Sequence, residues 1–213
     1  MKPYIAILIK TTLECNRSCR HCYHLPEERN SGNISFQTLE KVFKLASEEY
    51  QSVWFIWHGG DPLLMPFSFY RRALDLQDKY FGKDSHRVGN TIQTNGINID
   101  RRLLRLCEDR SINVGISYEG PYNDNLRNMT AETGRSIEVM QKHGSKFSVS
   151  CTLSKETADK QPEIYRYFRD LGIAPSFSPV LPKGCAAIDP SMIPDTDVYI
   201  KGCIEAFDDW LYD

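Results

Sequence analysis

Three of the seven cysteines in this 213-residue chain lie in one short run, Cys15-Asn16-Arg17-Ser18-Cys19-Arg20-His21-Cys22-Tyr23, a C-x3-C-x2-C spacing. Thiolates gathered this closely in a loop are suited to hold a metal. Zinc and iron-sulfur are the two chemistries that fit. A structural zinc needs a fourth ligand, which His21 or His24 could supply to give a site of three thiolates and one imidazole. A cubane cluster normally takes four cysteines; held by three, it leaves one iron open to an external ligand, as catalytic metal sites do. An open iron implies a substrate or cofactor bound to it.

A second set of polar and glycine residues recurs further along the chain: His58-Gly59-Gly60-Asp61, Gln93-Thr94-Asn95-Gly96, Ser117-Tyr118-Glu119-Gly120, and Thr152 with Ser154. Each follows or closes an apolar run of strand length. The predicted strands are Ile5 to Lys10, Ser52 to His58, Gly89 to Thr94, Ile112 to Ser117, Lys146 to Leu153 and Ala174 to Val180. Val53-Trp54-Phe55-Ile56-Trp57 is continuously apolar, as expected of a parallel strand covered on both faces.

Between the runs lie segments of helical period. Leu39, Val42, Phe43, Ala46 and Tyr50 form one stripe behind a Ser35 cap. Further helices are predicted from about Ser68 to Tyr80, Asp100 to Asp109, Arg135 to Lys142, from Ala158 to a stop at Gly172, and from about Asp197. The last carries Ile200, Cys203, Ile204, Phe207 and Leu211 at helical spacing and is expected to dock through that stripe. Six strand-helix pairs of about 30 residues account for nearly the whole chain. The fold class is therefore α/β with a parallel sheet, closed into part of a barrel or open and doubly wound. In either form ligands bind at the C-terminal ends of the strands, where the four polar clusters lie.

Composition narrows the partners. Lys+Arg 26 against Asp+Glu 28 gives a net charge of -2, which provides no basic excess for nucleic acid or an anionic membrane. No apolar stretch approaches the ~20 residues that span a bilayer, and the N-terminal apolar run is too short for a signal peptide. A cytoplasmic location is expected, and an odd cysteine count in a reducing compartment favours metal binding, catalysis or burial over disulfides. Cys107, Cys151 and Cys203 read as buried thiols. Cys185, in the loop Pro182-Lys183-Gly184-Cys185, could approach a substrate or a further cluster.

The cysteine run after the first strand resembles the signature of the radical S-adenosylmethionine (radical SAM) superfamily. Gly59-Gly60-Asp61-Pro62-Leu63-Leu64 resembles the segment that follows its second strand. Gln93-Thr94-Asn95-Gly96 and Ile116-Ser117-Tyr118-Glu119-Gly120-Pro121, with Arg127 shortly after, are similar to the subgroup of anaerobic sulfatase-maturing and SPASM-type peptide-modifying enzymes. The likeness covers essentially the full chain in order and spacing.

The resemblance implies a partial (β/α)6 barrel in which Cys15, Cys19 and Cys22 hold a [4Fe-4S] cluster. Its fourth iron is chelated by S-adenosylmethionine, which is cleaved to a 5'-deoxyadenosyl radical that abstracts hydrogen from a peptide or protein side chain. Gly59 and Gly60 would let backbone approach the methionyl ammonium, and Asp61, where relatives usually have Glu, would add a carboxylate. Arg127 would pair with the methionyl carboxylate. Ser117 and Asn95 would bond the ribose or methionyl part with His58 as a neighbour, and His21 would fill a slot where relatives carry an aromatic ring. A flavodoxin or ferredoxin-type electron donor is implied. So is a C-terminal auxiliary-cluster domain beyond residues 1–213, which would form the core domain. A glycyl-radical activase, a small-molecule radical enzyme and a zinc module are the alternative readings.

Overall fold

The computed structural model describes residues 1–30, 32–83 and 86–213. Six strands, β1 (Lys2–Thr12), β2 (Tyr50–Gly59), β3 (Val88–Thr94), β4 (Ile112–Ser117), β5 (Phe147–Leu153) and β6 (Pro175–Pro179), form one sheet ordered as they occur in the chain. The pairs β1 with β2, β2 with β3, and β5 with β6 are parallel. Helices α1 (Phe36–Glu49), α2 (Phe67–Phe81), α3 (Arg101–Asp109), α4 (Thr130–His143) and α5 (Gln161–Asp170) make the crossovers, and α6 (Cys185–Ile188) and α7 (Thr196–Tyr212) follow. This is the expected α/β fold, a partial (β/α)6 TIM-like barrel.

The chain divides into two units. The first comprises Met1–Asn16, Glu28–Thr94 and Asn98–Val114, and the second Arg17–Glu27, Asn95–Ile97 and Gly115–Asp213. In the first, Ser35 caps α1 by accepting from the Thr38 N–H, and Leu39, Phe43 and Ala46 are buried as the stripe predicts. Tyr50 is not part of that helix but the first residue of β2.

The apolar run of β2 is covered more on one face than on the other. Val53, Phe55 and Trp57 are fully buried, whereas Trp54 and Ile56 are half-buried. Alternate strand residues point to opposite faces. Phe55 and Trp57 pack edge-to-face against Phe43 of α1 at 5.0 and 6.3 Å, and Trp57 against Tyr70 of α2 at 5.9 Å. Full burial of each such ring stabilises the unit by about 1.5–3 kcal/mol. On the other face, Trp54 lies against Gly89 and donates its indole N–H to Thr91.

In the second unit, Ile116, Val149, Cys151 and Leu153 are buried with Ile164 and Phe168 of α5. Helix α4 starts five residues before its predicted beginning, because Met129 turns the chain through a left-handed conformation just ahead of it. Helix α5 starts at Gln161 rather than Ala158, since Ser154 to Lys160 form turns in which the Ser154 carbonyl accepts from Thr157 and Ala158.

The last helix departs furthest from expectation. Gly202 and Ala206 are its buried residues, while Ile200, Ile204, Phe207 and Leu211 are about half exposed. Its packing face is small because it lies against backbone: a Cβ on Gly202 would sit 2.4 Å from the Ala158 carbonyl oxygen. Gln161 donates to the Tyr199 carbonyl, and Cys203, half-buried rather than buried, donates to Gln161 Oε1. No helix among the described residues is long and apolar enough to cross a membrane.

Candidate functional site

The first unit holds Cys15, His58, Gly59, Gly60 and Asp61. Strand β1 ends at Thr12, and the segment from Thr12 to Glu14 that leads to Cys15 runs against the end of β2. Gly60 N donates to the Thr12 carbonyl and Asp61 N to the Glu14 carbonyl, both at 2.8 Å. Gly59, at φ +137, would place a Cβ 1.9 Å from the Thr12 carbonyl oxygen, and Gly60 one 2.1 Å from that of Glu14. These glycines are therefore required by a close backbone approach that sets the path of the chain into Cys15. His58 Nδ1 lies 3.1 Å from its neighbour's carbonyl, and its own carbonyl accepts from the Thr11 hydroxyl.

Asp61 is fully buried. Its Oδ1 accepts from the Thr94 hydroxyl at 2.7 Å and caps the short turn Pro62–Leu64 through Leu63 N. The carboxylate thus ties the end of β2 to the last residue of β3.

The second unit holds Cys19, Cys22, Asn95, Ser117 and Arg127. The two cysteines are joined by a turn in which Cys22 N donates to the Cys19 carbonyl at 3.3 Å. Arg17 and Arg20, which could have served only as surface charge, hold this loop. Arg17 donates to the Met129 carbonyl and the Thr133 hydroxyl, Arg20 to the Asn125 carbonyl, and Arg20 N to the Leu126 carbonyl. On the other side Cys185 N donates to the Cys22 carbonyl at 2.9 Å, and a Cβ on Gly184 would meet that oxygen at 2.5 Å. Cys185 therefore braces the third cysteine through its backbone, a role its sequence context does not announce.

Ser117 ends β4 half-buried. Asn95, just past β3, is buried; its side-chain carbonyl accepts from Ile97 N and its backbone carbonyl from the Thr133 hydroxyl. Arg127 is almost enclosed. Its Nε donates to both oxygens of Glu119 at 2.9 and 2.8 Å, its Nη2 to the Thr152 hydroxyl at 3.2 Å, and its Nη1 lies 3.9 Å from Cys19 Sγ. Glu119, 1% exposed, was legible only as one member of a polar cluster. Its pairing could have been suspected from an acid just past a strand end with an Arg eight residues later.

Electrostatics follow the burial. Desolvation pushes the Cys19 thiol above its ordinary value, partly offset by the Arg127 and Arg17 charges. His21 is held neutral, pushed down to about 3 by burial and then by the Arg127 charge.

A zinc site of three thiolates and one imidazole turns all four ligands on a single ion. A [4Fe-4S] cluster makes a different demand, because each thiolate takes its own iron. Cys15, Cys19 and Cys22 are partly accessible cysteines close in sequence, and a cationic donor lies beside one of them, Cys19. That donor set fits an anionic iron-sulfur cluster.

Comparison with known proteins agrees. The profile of the Radical SAM superfamily matches residues 9–174. The chain is 28% identical over 185 residues to a serine-type anaerobic sulfatase-maturating enzyme of Bacteroides thetaiotaomicron, covering 80% of this chain and 44% of that protein. It is 29% identical over 183 residues to a cysteine-type anaerobic sulfatase-maturating enzyme of Clostridium perfringens, covering 79% and 49%. The chain spans about half the length of these relatives. A solved structure described as native anSMEcpe with bound AdoMet and a peptide superposes with a TM-score of 0.75 at 25% identity, covering 84% of this chain and 51% of that one.

Proposed function

The chain belongs to the radical SAM superfamily, whose cofactors are a [4Fe-4S] cluster and S-adenosylmethionine, and we propose that it modifies a residue within a peptide or protein. The observation that carries this reading is the C-x3-C-x2-C loop that follows β1, within a chain that matches the superfamily over residues 9–174. When bound, the cluster and S-adenosylmethionine supply an electron and a 5'-deoxyadenosyl radical able to take hydrogen from an unactivated carbon.

The chain's own residues bind and position. Cys15, Cys19 and Cys22 are the cluster ligands, and residues 1–213 are the radical SAM core domain. Gly59 and Gly60 hold the entry to the cysteine loop and offer bare backbone to the methionyl ammonium. Asp61 keeps that backbone in place through Thr94. Asn95 and Ser117, at the ends of β3 and β4, are hydrogen-bonding groups for the ribose and methionyl parts, and His58, at the end of β2, is a further one. Arg127 provides terminal N–H groups suited to a carboxylate.

The relatives named as sulfatase-maturating, and the neighbour holding a peptide, support a peptide or protein substrate. A small one-electron donor of the flavodoxin or ferredoxin type is the partner that the chemistry requires. An odd count of seven cysteines supports the reducing cytoplasm as the compartment.

Anaerobic reconstitution tests this reading. The expected result is a brown protein with about four iron and four sulfide per chain that forms 5'-deoxyadenosine from S-adenosylmethionine under reductant. A colourless protein carrying one zinc and inert toward S-adenosylmethionine would overturn it. Candidate substrates are peptides with a central Cys or Ser, read by mass spectrometry for loss of hydrogen or conversion to an aldehyde.

A further inference from the structure

Arg127 is fixed from several sides. Its backbone N–H donates to the Asn123 carbonyl at 2.8 Å, and its Nε is taken by Glu119. Glu119 is itself held, because its Oε1 also accepts from Thr152 N at 2.9 Å, so the acid links the ends of β4 and β5. The guanidinium is planar and turns as one body. Anchoring Nε on Glu119 and Nη2 on the Thr152 hydroxyl therefore sets where the remaining nitrogen points, and Nη1 lies 3.9 Å from Cys19 Sγ.

We propose that Arg127, oriented by the positioning residue Glu119, donates an N–H to the Cys19 sulfur and thereby raises the reduction potential of the cluster that Cys19 helps to hold. This rests on the reading of Cys15, Cys19 and Cys22 as cluster ligands. Reduction brings in one electron from the external one-electron donor and moves no proton. The added negative charge is spread over the irons and their sulfurs, so a donor N–H on a ligating sulfur stabilises the reduced form more than the oxidised one. With Glu119 about 1% and Arg127 about 10% exposed, little solvent screens the contact. The effect is present without S-adenosylmethionine, and this separates it from any contact Arg127 makes to a carboxylate.

The test is a redox titration of reconstituted wild-type and Arg127→Gln proteins, without S-adenosylmethionine, poised with dithionite and mediators and followed by the electron paramagnetic resonance of the reduced cluster. The variant's midpoint is expected to be more negative, enough to lower the reduced-to-oxidised ratio at a fixed poise about tenfold, a shift of about 59 mV for one electron. Loss of the donor and exposure of the Glu119 charge act in the same direction. Arg127→Lys, which keeps the charge but not the fork, is expected to recover only part of the shift. If Arg127→Gln does not fold, Glu119→Gln/Arg127→Gln removes both charges together and is expected to shift the same way by less. An unchanged or more positive midpoint in a variant that holds its cluster, or a shift that appears only with S-adenosylmethionine, overturns the proposal. A wild-type protein that takes up no cluster overturns instead the reading on which it rests.

Discussion

A Cβ on Gly60 would lie 2.1 Å from the carbonyl oxygen of Glu14, the residue before Cys15. That oxygen also accepts the Asp61 N–H, so the loop after β2 and the entry to the cysteine loop occupy one tightly shared space. Gly60→Ala must displace backbone rather than a flexible side chain. It is expected to lower iron uptake severalfold on reconstitution and to cost about 1–3 kcal/mol in denaturant. Gly172→Ala is the control: at φ +70 with no atom within 4 Å of its Cβ, it is expected to cost about 1–2 kcal/mol from backbone strain and leave iron uptake unchanged.

The Glu119–Arg127 pair also bears on stability. Glu119→Gln leaves a buried guanidinium without its counter-charge and is expected to cost about 3–5 kcal/mol in the apoprotein. In the double variant Glu119→Gln/Arg127→Gln no charge is stranded, so its cost should fall well below the sum of the two single changes. Urea denaturation of the four proteins measures the coupling; additive costs would show that the two side chains act independently.

Cys107 is 7% exposed on the buried side of α3, and burial pushes its thiol up to about 12. Cys151, also buried, is pushed well above the ordinary range. Both are expected to resist iodoacetamide at pH 8 in the native apoprotein and to react once it is unfolded, as read by peptide mass spectrometry. Between pH 9 and 12 the unfolded chain loses the Cys107 proton that the folded chain keeps. Stability should therefore fall as pH rises through that window, by on the order of 1 kcal/mol per unit from this group.

Helix α7 should tolerate substitution in the reverse of the order its sequence suggests. Ile204→Ser and Phe207→Ser alter half-exposed side chains and are expected to change stability by about 0.5 kcal/mol or less. Gly202→Ala drives a methyl group into the Ala158 carbonyl and Gln161 and is expected to cost about 1–3 kcal/mol. Chemical denaturation of the three variants distinguishes the two faces.

Much of this protein could be read from local pattern alone. The alternation of apolar runs with helical stripes set the six strands and the α/β class, because burial against neighbouring layers is periodic in the chain itself. The spacing Cys15, Cys19, Cys22 marked the candidate ligands, since cysteines with only three and two residues between them are already close through the backbone. The tertiary structure decided which groups meet across long separations. The Arg127 fork rests on Glu119, Thr152 and Cys19, a contact that joins residues 108 apart in the chain. The two glycines answer to the backbone of Thr12 to Glu14, and α7 packs through Gly202 and Ala206 rather than through its large apolar residues. Helical period marks a face as apolar; only the space left by the neighbouring backbone determines whether large or small side chains fit there.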